Sequence, residues 1–196
     1  IALGTALVIV LPFSYNKEVL WIFKLYSSTV SEYHYASLNA YNFFSLIGAN
    51  NAKDTSTMLF ISYKTFGMLC IILTTLFSWY IYIKAKDSRI APAAALIQIA
   101  GVFTFSVGMH ERYLFPAVAL AAIAYIYLKD RRIPLIMLGF SYTSYINVHT
   151  VLFNTLKGAA SASSTYDPTI FITSILNVIL FFCLVKIMLG TVKKQI

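Results

Sequence analysis

Three ionisable side chains stand together in "SVGMHERYLF", residues 106 to 115: His110, Glu111 and Arg112. Arginine offers a planar fork that suits a phosphate. Histidine can add a second donor or exchange a proton near neutral pH, and glutamate can orient the arginine or receive a hydroxyl proton. The triplet has the makings of an anion site. It lies between two apolar runs of roughly bilayer thickness, so an anion held there would be a lipid-linked phosphate. The residues also admit a plainer reading, a solvated turn that keeps a helical hairpin in register. A charge costs about 2.5 to 3.5 kcal/mol at the bilayer centre but much less at the interface, where an arginine can snorkel.

The elements that must position the triplet follow from composition. The 196 residues are 59% hydrophobic and 11% charged, where a soluble domain carries about 25% charged residues. The mean hydropathy is +0.76. No strand-like alternation of about ten residues recurs to suggest a membrane barrel. The expected fold class is all-α, a polytopic transmembrane helix bundle with an outer-face amphipathic helix.

Spanning helices are expected at residues 1–13, 57–83, 91–109, 113–128, 133–153 and 169–190. The linkers then sort by charge. "KAKDSR" (Lys84, Lys86, Arg89), "KDRR" (Lys129, Arg131, Arg132) and the tail (Lys193, Lys194) are cytoplasmic by the Lys/Arg bias. Alternation puts residues 14–56, the His110–Arg112 turn and "LKGAASASSTYDP" on the outer face. Within the last, Gly158 to Ser164 reads as a mobile, small-residue loop. The formal net charge of +8 sits in short loops rather than on a solvated face with stacking aromatics, so a nucleic-acid partner is not expected.

The opening "IALGTALVIVLPF" has no initiator methionine, basic n-region or small-residue cleavage site, and reads as the end of a spanning helix. The chain is expected to be a single transmembrane domain, the carboxy-terminal part of a longer protein in the cell membrane. Cys70 and Cys183 sit in apolar runs, where a thiol behaves as a small hydrophobe.

Residues 14–56 are too many for a structureless loop. "EVLWIFKLY" concentrates Trp21, Phe23 and Tyr26, which suit the interfacial belt. Thr29 and Glu32 have capping-box spacing and Gly48 is a plausible stop, which predicts a surface-lying helix between them. On that helix Ser31, Tyr35, Asn39 and Asn42 form one polar stripe. Val30, Tyr33, Ala40, Phe44 and Ile47 form an apolar side that can lie on lipid or neighbouring helices.

"GMHERYLFPAVALAAIAYIYL", with "YHYASLNAYNFFSLIGANN" upstream, resembles the GT-C superfamily of integral-membrane glycosyltransferases. The likeness is particularly to bacterial mannosyltransferase-like proteins related to the GPI mannosyltransferases, and it covers residues 30–155. In such enzymes a His-Glu-Arg or His-Glu-Lys motif on the non-cytoplasmic side lies near the phosphate of a polyprenyl-phosphate sugar. The resemblance carries that role to His110 and Arg112, and also to Glu111. It implies an inverting transfer of a hexose, such as mannose, to an acceptor it does not identify. The superfamily's catalytic acid, usually an Asp in the first outer loop, would lie outside this chain. Glu18, Glu32, Asp54 and Asp167 have no distinguishing neighbourhood, so no catalytic residue is assigned.

Tyr35, Asn39 and Asn42 are candidates to line the substrate. So are Asn147 and His149 in "SYINVHTVLF", which could bond the sugar, face the His110 turn, or be satisfied helix-end polar groups. Glu32, His34 and His110 lack any metal-ligand spacing, so neither a metal nor a cofactor is expected. Two other classes fit the same triplet: a transporter or flippase of a lipid-linked anionic headgroup, and a non-catalytic membrane scaffold subunit. Against transport stand the few ionisable residues within spans and the absence of paired Gly/Pro-broken helices.

Overall fold

The structure is a computed structural model that describes residues 2–30, 33–85, 87–156 and 167–193. Eight α-helices form among these residues, and the chain divides into two compact units, residues 1–34 and 35–196. The first unit holds α1 (Ala2–Val10), a 3-10 turn (Leu11–Ser14) and α2 (Trp21–Val30). The Trp21 indole N–H donates to Ser14 Oγ at 3.2 Å, Ser14 Oγ donates to the Val10 carbonyl, and Lys24 pairs with Glu18.

The second unit begins with an extended stretch containing β1 (Ser37–Leu38), followed by one turn of helix, α3 (Phe43–Leu46). A hairpin of β2 (Thr57–Met58) and β3 (Ile61–Ser62) leads into α4 (Tyr63–Ala85). Then come α5 (Ala91–Phe105), β4 (Met109–His110), α6 (Phe115–Leu128), α7 (Ile133–Leu156) and α8 (Pro168–Lys193). Among the described residues, three segments are long and apolar enough to cross a membrane: 63–85, 88–105 and 168–193. The chain thus reads as a multi-pass membrane protein. Residues 2–14 and α6 are apolar but shorter. In α7, Ser141, Thr143, Ser144, Asn147 and His149 dilute the apolar run.

Consecutive helices from α4 to α8 pack side by side, and α8 closes back onto α5 and α4. In α5, Ala93, Leu96, Ile97 and Ala100 are fully buried. Ala117, Ala121 and Ala124 line the buried stripe of α6. Small residues at such spacing let helix backbones approach closely, which is how helices associate where lipid tails are as apolar as leucine. Polar bridges add to this. Ser78 Oγ donates to the Ala94 carbonyl at 2.8 Å, and Gln98 Nε2 donates to Thr75 Oγ1 at 3.1 Å.

Gly101 marks the tightest crossing, where a Cβ would lie 2.9 Å from Phe181 Cε2 and also strike Thr74. Gly101→Ala must push α4 or α8 away. Overpacking of this kind costs about 1 to 3 kcal/mol, and we expect a correspondingly lower unfolding temperature in detergent.

The helix expected from Thr29 to Gly48 does not form. Thr29 ends in α2, Ser31 and Glu32 lie outside the described residues, and the chain from Tyr35 to Ala40 is extended or bridged. Two local causes can be named. Asn39 takes a left-handed backbone (φ 59°), which asparagine tolerates and a helix does not. Asn42, extended, uses its side chain to accept from the Phe44 and Ser45 N–H groups, and so starts a new helix. Gly48 does act as a stop, but for α3. It has φ 78°, its N–H donates to the Ser45 carbonyl, and the Ala49 N–H donates to Phe44. Tyr35, Asn39 and Asn42 of the expected polar stripe therefore do not share a helix face. The span expected from residue 57 begins instead at Tyr63, because residues 57–62 form the hairpin and Ser62 Oγ caps α4 by accepting from the Thr65 N–H at 3.1 Å. Residues 158–164 lie outside the described residues.

Candidate functional site

The turn between α5 and α6 is tied to the stretch before α3 by a short parallel pairing. Ser37 stands opposite Met109 and Leu38 opposite His110, Asn39 forms a further bridge with His110, and the Gly108 N–H donates to the Tyr35 carbonyl at 2.9 Å. Gly108 itself has φ 69°, a conformation glycine supplies without strain. Two segments some seventy residues apart in sequence thus share one small patch of backbone pairing.

Within the triplet, Glu111 sits between its neighbours. Its carboxylate accepts from Arg112 Nη1 at 2.9 Å and lies 3.9 Å from His110 Nδ1. The Arg112 side chain is 61% exposed and that of His110 15%. The guanidinium lies over the Tyr113 ring, 5.6 Å from its centroid, and the His110 ring meets Tyr113 edge-on. The arginine is thus oriented from two sides and still presents most of its fork outward.

Burial holds His110 below the ordinary histidine range; the Arg112 charge acts in the same direction and Glu111 opposes them. The ring is neutral at pH 7. Since the folded value lies below the unfolded one of about 6.5, the associated stability is present above that pH and is lost as pH falls through the folded value. We expect the unfolding temperature of the wild type to fall on acidification below about pH 6.5, and that of His110→Gln to fall less.

The stretch from Asn39 to Asn42 is held by asparagines on three elements. Asn42 is fully buried. Its Oδ1 caps α3, and its Nδ2 donates to the Phe103 and Ser106 carbonyls at 3.1 and 3.4 Å, so one amide serves the start of α3 and the end of α5. The Asn39 and Asn50 side chains are bonded to each other at 3.2 Å, and Asn50 Oδ1 also accepts the Asn39 N–H. Asn147 on α7 accepts the Tyr41 N–H at 2.9 Å and donates to the Asn39 carbonyl at 2.7 Å, while Asn177 on α8 donates to the Tyr41 carbonyl at 2.8 Å.

Neither a family model nor a curated protein nor a solved structure matches the chain. What the site can do follows from its own groups.

The candidate residues divide accordingly. His110, Glu111 and Arg112 form one cluster, and Asn39 and Tyr35 come to it through the backbone. Asn42 and Asn147 are buried and hold the loop. His149 is not brought to the cluster; it is exposed on α7 and stacks on Phe153 with centroids 4.4 Å apart. Sequence reasoning missed Asn177 and Tyr41. The signal for Asn177 was present: "TSYIN" in α7 recurs as "TSILN" in α8, and both asparagines grip the same loop.

Tyr41 is buried beside Thr150 and Asp167. Burial pushes its phenol up to about 12, the Asp167 charge adds to the effect, and a hydrogen bond with Thr150 opposes it. It stays a neutral hydroxyl and cannot serve as a base near pH 7. The Asp167 carboxylate accepts the Thr169 N–H at 2.7 Å at the start of α8. Next to α3, a cavity of about 620 Å³ is lined by Ser45, Leu46, Ile47, Gly48, Pro168, Phe171 and Ile172. Among the described residues, no group of three His, Cys, Asp or Glu gathers to hold a metal ion.

Proposed function

We propose that the protein is the membrane-embedded portion of a glycosyltransferase that takes a hexose from a polyprenyl-phosphate donor on the non-cytoplasmic face. The single observation that carries this reading is the β1–β4 pairing. It joins the two segments whose residues resemble the GT-C superfamily, beside an outward-facing arginine braced by a glutamate and next to a neutral histidine.

Arg112 binds the donor phosphate through two N–H groups. An acceptor hydroxyl attacks the anomeric carbon as an acidic base, to which no residue is assigned, takes its proton. The bond from that carbon to the phosphate oxygen breaks with its electron pair leaving on the phosphate. The extra negative charge develops beside the exposed Arg112 guanidinium, which stabilises it as preorganised donors do, while His110 stands next to it in the turn. Glu111 orients the guanidinium.

The test is to place the full-length protein in liposomes with a radiolabelled polyprenyl-phosphate hexose and a membrane lipid and glycan extract as acceptor. Label moving from the donor to an acceptor supports the reading. Labelled donor that crosses the bilayer intact indicates a flippase, and label that neither transfers nor crosses indicates a scaffold.

A further inference from the structure

Away from the candidate site, the β2–β3 hairpin carries an apolar tip that nothing in the catalytic reading uses. Thr57 pairs with Ser62 and Met58 with Ile61, which leaves Leu59 and Phe60 as the two-residue turn. They are 85% and 96% exposed. Leu59 has φ 60°, a conformation that ordinarily goes to glycine or asparagine and is an outlier for a bulky side chain. An apolar residue thus occupies a position where a polar one would relieve the backbone and suit water.

The hairpin is not loosely attached. The Tyr63 N–H donates to the Ser56 carbonyl at 2.9 Å, the Lys64 N–H to the Asp54 carbonyl at 3.0 Å, and the Thr65 N–H to Ser62 Oγ at 3.1 Å. Its base is therefore the first turn of α4, one of the helices long and apolar enough to cross a membrane. With strands of two residues, at about 3.3 Å each, the tip lies within roughly 10 Å of the point where α4 leaves the hydrocarbon. The exposed side of α4 continues as Met68, Leu69, Ile72 and Leu73. Lys53 and Lys64, both exposed, flank the hairpin and suit lipid phosphates. Gly67 packs against the backbone of Phe105 and Val107, so the hairpin belongs to the end of the bundle that carries His110 and Arg112.

We infer that the Leu59–Phe60 tip inserts into the headgroup region of the leaflet on the candidate-site side and anchors the start of α4 there. The partner is the lipid surface itself, not another protein. The inference rests on α4 crossing the bilayer and is independent of the transferase reading.

Site-directed spin labelling tests it in the full-length protein with its cysteines, including Cys70 and Cys183, replaced, in vesicles of phosphatidylcholine and phosphatidylglycerol. A nitroxide at Phe60→Cys is expected to collide several-fold more with oxygen than with a water-soluble nickel chelate. That places it roughly 5 to 10 Å below the phosphates, as for an interfacial apolar face. A nitroxide at Thr57→Cys is expected to show the opposite preference. Preferential collision with the nickel chelate at both positions overturns the insertion. Exclusion of both relaxers at Phe60→Cys overturns the lipid partner in favour of a protein one. A milder variant guards against misfolding: Phe60→Trp, with the protein's other tryptophans, including Trp21 and Trp79, replaced by phenylalanine. Its fluorescence is expected to be quenched more by lipids brominated near the headgroup than by those brominated near the chain end. Quenching by neither overturns the proposal.

Discussion

Arg112→Ala in the full-length protein is expected to lower transfer from a polyprenyl-phosphate sugar by about 10² to 10³. That is the loss typical of removing one preorganised donor from a developing oxyanion, about 2.7 to 4 kcal/mol. The side chain is 61% exposed, so folding is spared and the loss appears in turnover rather than in yield. Arg112→Lys keeps the charge but gives up the two-point fork, and should recover only part of the rate. Glu111→Gln removes the 2.9 Å ion pair that orients the guanidinium and should fall between them. Near wild-type transfer by Arg112→Ala rejects the assignment of the phosphate to this residue.

Asn147→Ala is expected to carry the largest structural cost. It leaves the Tyr41 N–H and the Asn39 carbonyl without their partners inside a packed bundle. A buried group left unsatisfied costs about 1 to 3 kcal/mol, although interhelical hydrogen bonds in membranes have measured nearer to 1 kcal/mol. We therefore expect about 2 to 4 kcal/mol for Asn147→Ala and roughly half of that for Asn177→Ala, which removes one bond. Because both asparagines hold Tyr41, one at its N–H and the other at its carbonyl, the double variant should cost less than the sum of the two, and unfolding measurements on all four forms give the coupling. The β1–β4 pairing should loosen with it, so amide exchange at Leu38 should rise in Asn147→Ala.

The long apolar runs made α4 to α8 legible from sequence, because a helix needs only its own residues to satisfy its backbone. The stretch from Tyr33 to Asn42 was not legible for the opposite reason. Its spacing of polar residues at three and four suggested a helix, yet besides Asn50 and Lys53 nearby it pairs with Met109, His110, Asn147 and Asn177, all distant in sequence. Nothing local announces such pairing, and the alternation of Tyr33, Tyr35, Ser37 and Asn39 was equally present. The start of α4 shows the same ambiguity on a smaller scale: the apolar Met58 to Ile61 fits a helix or a hairpin, and Ser62 decides it by capping. In the candidate site, the residue types of the triplet were legible. The division of labour between Arg112, which faces outward, and the asparagines, which hold the loop, depended on burial.

The length of α6 has a consequence for the bilayer. Its 14 residues cover about 21 Å at 1.5 Å per residue, whereas α8, with 26, covers about 39 Å. A hydrocarbon core of about 30 Å is longer than the first and shorter than the second. In the proposed reading, where α6 crosses the bilayer, a membrane wrapped around the bundle would thin beside Arg112 and leave it in a dimple beneath the surrounding headgroups. Lipids with shorter acyl chains would relieve that mismatch, so membrane thickness itself would govern how readily an amphiphile's head reaches the arginine.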